Sequence, residues 1–169
     1  MKKLENIFND IDYINIVSNI LKDDDFNKIK KCRHHGLTRY DHSLRVSYYS
    51  YLVTKKLKLN YAETARGGLL HDFFTKEDIK KKQPSVIVHP YRALENAESH
   101  FSITNLEKDI IINHMFPTLP HKIPKYLESW IVSIIDKMVA TYEFYCSFGR
   151  PFLYRYSKVY MMLLLLCRF

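Results

Sequence analysis

The chain has 169 residues, with 26 Lys+Arg against 18 Asp+Glu for a formal charge of +8, and 47% of its residues are apolar. Only 4 glycines and 6 prolines argue against collagen-like or low-complexity structure, and a chain of this size can bury roughly 70% of the surface it exposes when unfolded, so neither disulfides nor a structural metal is required for folding. Cys32, Cys146 and Cys167, without CxxC spacing, argue against a disulfide framework or zinc ribbon and fit a reducing, cytoplasmic setting, and the start MKKLENIFNDIDYINIV lacks a signal-peptide core.

Helical periodicity dominates. Leu4, Ile7, Phe8, Ile11, Ile14, Val17, Ile20 and Leu21 recur at steps of three and four and predict an amphipathic first helix. The Asp23-Asp24-Asp25 cluster suits a helix start and predicts a short second helix through Phe26 and Ile29 to about Cys32, broken by His34-His35-Gly36. A third is expected from Asp41 to about Leu57, with Leu44, Tyr48, Tyr51 and Leu52 inward. Asn60 with Glu63 reads as a capping-box analogue for a fourth helix reaching His71-Asp72. Within it, Gly67-Gly68 costs about 1 kcal/mol per glycine relative to alanine, which points to close helix packing.

Gln83-Pro84-Ser85 signals a loop, and Pro90 is expected to open a fifth helix through about Phe101, with His89 just before it. Thr104 with Glu107 forms a capping box for a helix carrying Ile110, Ile111 and His114, which stops before Pro117 and Pro120. Pro124 is expected to start a long helix through Trp130, Ile131, Ile134, Ile135, Asp136 and Met138 to about Phe148. After Gly149-Arg150-Pro151 a last helix is expected; its apolar run Val159 to Cys167 falls far short of the ~20 residues that span a bilayer and reads as core or dimer face. Strand alternation, hairpin turns, repeats and linkers are not evident, so the fold class expected is all-α, one domain over 1–169 with seven or eight helices.

Of eight histidines, several stand at predicted helix boundaries: His42, His71, His89 and His114. Imidazole and carboxylate are the usual ligands of iron, manganese and zinc, and helix ends can close such ligands around an ion inside a bundle. His71 and Asp72 are ~100° apart on a helix, so both reach one ion only if it lies between their directions. Phe73-Phe74 would pack beneath and exclude water, and the two oxygens of Asp72 suit it to bridge two ions. Asp136 shares a face with Ile131, Ile135 and Val139, where an unpartnered carboxylate would be costly to bury. Each histidine taken alone is as readily a hydrogen-bonded core or capping residue; His34, His100 and His121 read as surface or loop. Arg45 and Arg66 read more readily as interhelical ion pairs than as substrate contacts, and Tyr48, Tyr49, Tyr51 and the Tyr154 to Tyr160 set as core and interface.

His42 in TRYDHSLRV, His71-Asp72 in ARGGLLHDFF and Asp136 in WIVSIIDKMVATYE, with HPYRALENAE and HMFP between them, resemble the HD superfamily of metal-dependent phosphohydrolases, from about His34 to Tyr145. The resemblance implies an HD-domain helical bundle in which one ion takes His42, His71, Asp72 and Asp136, and a second takes Asp72, His89 and His114. It implies one or two divalent ions (iron, manganese or zinc) that turn a bridging water into a hydroxide nucleophile for hydrolysis of a phosphate ester or phosphoanhydride. Near such a site Arg39, Arg45, Arg92 and Lys76 are candidates to offset phosphoryl charge, and His35 to contact substrate or donate a proton to the leaving oxygen.

The chain lacks the Gly-Tyr-Pro signature and the lysine after a His-Asp-Ile-Gly run that mark the cyclic-di-GMP phosphodiesterases, and the extra helices of the deoxynucleotide triphosphatases. Its layout is closer to the small bacterial HD enzymes that cleave diadenosine tetraphosphate. The substrate expected is a nucleotide or other small phosphorylated metabolite. The alternative is a non-catalytic metal- or nucleotide-binding or sensing module. The +8 charge reads as a field for small anions, since no nucleic-acid-recognition motif accompanies it. No membrane association is expected, and the C-terminal helix is a candidate homodimer face.

Overall fold

A computed structural model of the chain describes residues 7–34, 37–75, 77–78 and 85–148. The fold is an all-α bundle. Among the described residues seven α-helices follow in order: α1 (Ile11–Leu21), α2 (Asp24–Asn27), α3 (Arg39–Lys56), α4 (Tyr61–Leu70), α5 (Ser85–His100), α6 (Asn105–Asn113) and α7 (Leu127–Phe148). Between α2 and α3 lie a 3-10 turn, Lys28–Lys31, and an antiparallel pairing of Arg33–His34 with Leu37–Thr38. That pairing was not expected from the sequence, because two residues a side carry no alternation to read. The last helix, with its apolar run and dimer face, lies outside the described residues, as do His35 and Lys76.

Side-chain caps set most helix starts. Asp10 accepts from the Tyr13 amide at 3.1 Å, and the helix begins at Ile11. The first helix is therefore shorter than periodicity predicts: residues 7–9 form a turn, Ile7 is buried, and Phe8 and Ile11 are 48% and 73% exposed. A carboxylate that satisfies an orphan amide outcompetes a weak apolar pattern upstream of it. Asp23, Thr38 and Asn60 cap α2, α3 and α4, and Thr104 with Glu107 closes both halves of the predicted capping box on α6. The fifth helix begins at Ser85, not Pro90, so His89 lies inside it. A proline this near the N-terminus removes a single hydrogen bond to the carbonyl four residues back, and the helix tolerates it. The long helix likewise starts at Leu127, with the Trp130 indole N–H bound to the Pro124 carbonyl at 3.0 Å.

Helix α3 packs against α4 and α7, and α4 also against α6. The main core gathers Tyr13, Val17, Ile20, Phe26, Leu44, Tyr48, Tyr51, Leu69, Leu70 and Phe73. Its buried hydroxyls are paired: Tyr13 Oη donates to Ser47 Oγ at 2.8 Å, which donates to the Ala65 carbonyl at 2.6 Å. A Cβ on Gly67 would stand 2.9 Å from Ile110 Cδ1, and one on Gly68 3.1 Å from Ser47 Cα. The paired glycines are thus what let α4 lie directly on α6 and α3, and this close approach delivers the C-terminal end of α4 to the start of α3 and the end of α6. Among the described residues no helix is long and apolar enough to cross a membrane.

Candidate metal centre

The six ligand-type residues singled out in the sequence converge from five helices. His42 is in the first turn of α3, His71 is the C-cap of α4 with Asp72 next, His89 is in α5, His114 caps the end of α6, and Asp136 is in the middle of α7. None is more than 7% exposed. Three overlapping triads, His42–His71–Asp72, His71–His114–Asp136 and Asp72–His89–His114, each bring one ligand atom per residue to within 4.8 Å of the others. Asp72, His71 and His114 each belong to two of them, and the triad His71–His114–Asp136 draws on both of the ligand sets that the resemblance implies.

Hydrogen bonds to the other ring nitrogens fix what these histidines offer. Nδ1 of His71, His89 and His114 lies 2.8 Å from the carbonyls of Gly68, Ser85 and Ile111 respectively. A carbonyl only accepts, so each Nδ1 carries a proton and each ring turns its Nε2 inward. His71 Nε2 is buried with no hydrogen-bond partner. The Nε2 atoms of His89 and His114 stand 2.9 Å apart, and 3.4 and 3.9 Å from Asp72 Oδ1. Lone pairs at that separation repel unless a cation or proton lies between them. This donor set therefore fits a divalent ion.

His42 is held differently. Its Nδ1 lies 2.8 Å from Glu143 Oε2 and its Nε2 2.9 Å from Asp136 Oδ1. Burial alone would depress its pKa, but these two carboxylates hold it up at about 10. In the cluster beside it, burial pushes the pKa values of His71 and His114 down, His114 further through its neighbours His71 and His89. Asp72 and Asp136 stay ionised far below the usual carboxylate range: burial opposes this, but at Asp72 the charge that His71, His89 and His114 carry when protonated, together with Arg39, outweighs it, and the His42 hydrogen bond and Lys137 do so at Asp136. Neutral His71 and His114 beside ionised carboxylates are the protonation states that metal ligation requires, whereas His42, held protonated between two carboxylates, would have to give up its Nε2 proton to bind an ion.

Around the cluster, Arg39 Nη1 donates to the Phe74 carbonyl at 2.8 Å, its guanidinium stacks 3.7 Å from the Phe74 ring centre, and its Nε faces Asp72 Oδ2 at 3.7 Å. The Phe74 ring lies 5.1 Å from that of His89, against the site, whereas Phe73, expected beside it, belongs to the core. Arg45 donates to Glu143 Oε1 at 2.7 Å, joining α3 to α7 in the interhelical pairing read from the sequence. Arg66 does the same with Glu107 at 2.5 Å. Arg92 pairs with Glu95 on its own helix at 2.5 Å.

Two charged residues at the site were not singled out in the sequence. Glu143 follows Asp136 by seven residues, two helical turns, so it shares the ligand's face; that spacing was the available signal. Lys137 reaches Asp136 Oδ2 at 2.6 Å and the His114 carbonyl at 2.9 Å, a contact across helices that no local pattern encodes. Compared with protein-family models, curated proteins and solved structures, the chain matches none.

Proposed function

We propose that this cluster is a dinuclear centre of the HD type and that the protein is a metal-dependent phosphohydrolase acting on a nucleotide or other small phosphorylated metabolite. The observation that carries the reading is the inward convergence of the His71, His89 and His114 Nε2 lone pairs on Asp72, with each tautomer fixed from behind by a carbonyl. His42, His71, Asp72 and Asp136 would hold one ion, and Asp72, His89 and His114 the other; the mixed imidazole and carboxylate donors suit iron, manganese or zinc. Such ions, when bound, acidify a water molecule and polarise phosphoryl oxygens.

The chain's own groups arrange the rest. Phe74 keeps bulk solvent from His89 and carries Arg39 on its face, placing a buried positive charge beside Asp72. Lys137 holds Asp136 Oδ2, which leaves Oδ1 toward His42 and His71, and at 31% side-chain exposure it sets a cation at the rim where an anionic substrate would approach. Preorganised positive groups of this kind stabilise charge on a transferring phosphoryl group.

The test is metal analysis of the purified protein followed by a screen of nucleotides, dinucleotides and generic phosphate esters with manganese or iron, using His71→Ala as control. Metal-dependent turnover abolished by the substitution is expected. Absence of bound metal together with no activity restored by either ion would sink the proposal, and tight binding of a phosphate ligand without product release would point to a binding module instead.

A further inference from the structure

The histidines of the cluster are oriented in two chemically different ways. His71, His89 and His114 each give Nδ1–H to a main-chain carbonyl, a neutral acceptor, whereas His42 Nδ1 faces the carboxylate of Glu143 at 2.8 Å. Glu143 is 1% exposed, and its second oxygen is clamped by Arg45 Nη1 at 2.7 Å. With both oxygens engaged from α3, the carboxylate has no freedom to turn away from the ring. A carboxylate behind an imidazole fixes its tautomer and makes it a stronger electron donor than a carbonyl does, and losing such a partner typically weakens metal binding about 10- to 100-fold.

We infer that Glu143 is a positioning residue that makes the two halves of the cluster unequal: a tight half-site at His42 and Asp136, and a weaker one at His89 and His114. The inference rests on the metal binding proposed above and deepens it. Helix α7 supplies both the Asp136 carboxylate and, two turns on, the group that aims the opposing His42 Nε2 at it, so the α3–α7 contact sets the tight half-site. Among the described residues the His89–His114 half-site has carbonyls and no carboxylate behind its rings, and its anionic ligand is the Asp72 that it shares.

Calorimetric titration of the metal-free full chain with Mn²⁺ tests this in the wild type, Glu143→Leu and Glu143→Gln, with thermal melts confirming that each variant is folded. The wild type should show two affinities. Glu143→Leu should weaken the tight class about 10- to 100-fold and leave the weak class unchanged; Glu143→Gln, which keeps an acceptor oxygen, should lose less. In the zinc-loaded protein, ¹⁵N spectra should show His42 protonated at Nδ1 in the wild type, and the Gln variant should retain that tautomer. A single class of sites in the wild type, equal weakening of both classes, or wild-type affinities in folded Glu143→Leu overturns the inference while leaving the metal centre standing. A wild type that binds no Mn²⁺ overturns both.

Discussion

Helices α4 and α6 meet through two polar contacts, one half-buried and one buried, and the two are built differently. At the first, Arg66 Nε meets Glu107 Oε1 at 2.5 Å, the other guanidinium nitrogens reach Asn19 Oδ1 and the Ser102 carbonyl at 3.3 Å, and Glu107 Oε2 accepts the Thr104 amide at 2.9 Å. Donors and acceptors balance there. At the C-terminal ends of the same helices the rings of His71 and His114 lie 4.9 Å apart, and the Nε2 of His114 stands 2.9 Å from that of His89 and 3.9 Å from Asp72 Oδ1. The first contact is complete within the folded chain and serves the fold. The second gathers imidazole nitrogens and a carboxylate, with Arg39 at 3.7 Å from Asp72 as a neighbouring cation, and it is the contact at which the proposed ion would be held.

The sharpest way to break that contrast is Asp72→Asn, which removes the charge shared by both halves of the cluster while keeping its shape. Metal binding should be lost from both halves and turnover should fall to background, with helical content by circular dichroism unchanged. Glu107→Gln should do the opposite: weakening the half-buried pair with Arg66 should cost about 1 to 2 kcal/mol of stability, read as a lower denaturation midpoint, with metal affinity as in the wild type. Saturating metal should stabilise only through the second contact. At a free concentration 100 times Kd the gain is about 2.7 kcal/mol, visible as a raised melting temperature that disappears in His71→Ala. The smallest effect is expected for Gly68→Ala, whose Cβ would come 3.1 Å from the Ser47 main chain. Overpacking of one to a few kcal/mol, partly offset by the better helix propensity of alanine, should leave about 1 kcal/mol of destabilisation, and by moving α3 from α4 it should also weaken metal binding.

What was legible in the sequence follows the range of the interactions involved. The caps at Asn60 and Thr104 act over three residues and read directly, as did the closeness required by Gly67-Gly68. The histidines at helix ends were found because the boundaries of α3, α4 and α6 were nearly right. Apolar periodicity carries the expected start of α1 upstream past Asp10, whose side chain in fact opens the helix. Reading Pro90 as a first-turn residue places His89 outside a helix, whereas the helix starts at Ser85 and runs through the proline. Glu143 and Lys137 escaped because their partners, His42 and the His114 carbonyl, lie 101 and 23 residues away. Tertiary pairing of that kind leaves no local periodicity, and only the seven-residue step from Asp136 hinted at the glutamate.

The central claim is that His71, His89, His114 and Asp72 surround a cation. Anomalous diffraction from crystals of the protein grown with Mn²⁺ tests it most directly. The account predicts a strong peak between His89, His114 and Asp72 and a second between His42, His71 and Asp136, with Asp72 touching both. Crystals in saturating Mn²⁺ that show no anomalous density at Asp72, with the His89 and His114 nitrogens still in direct contact, would contradict it.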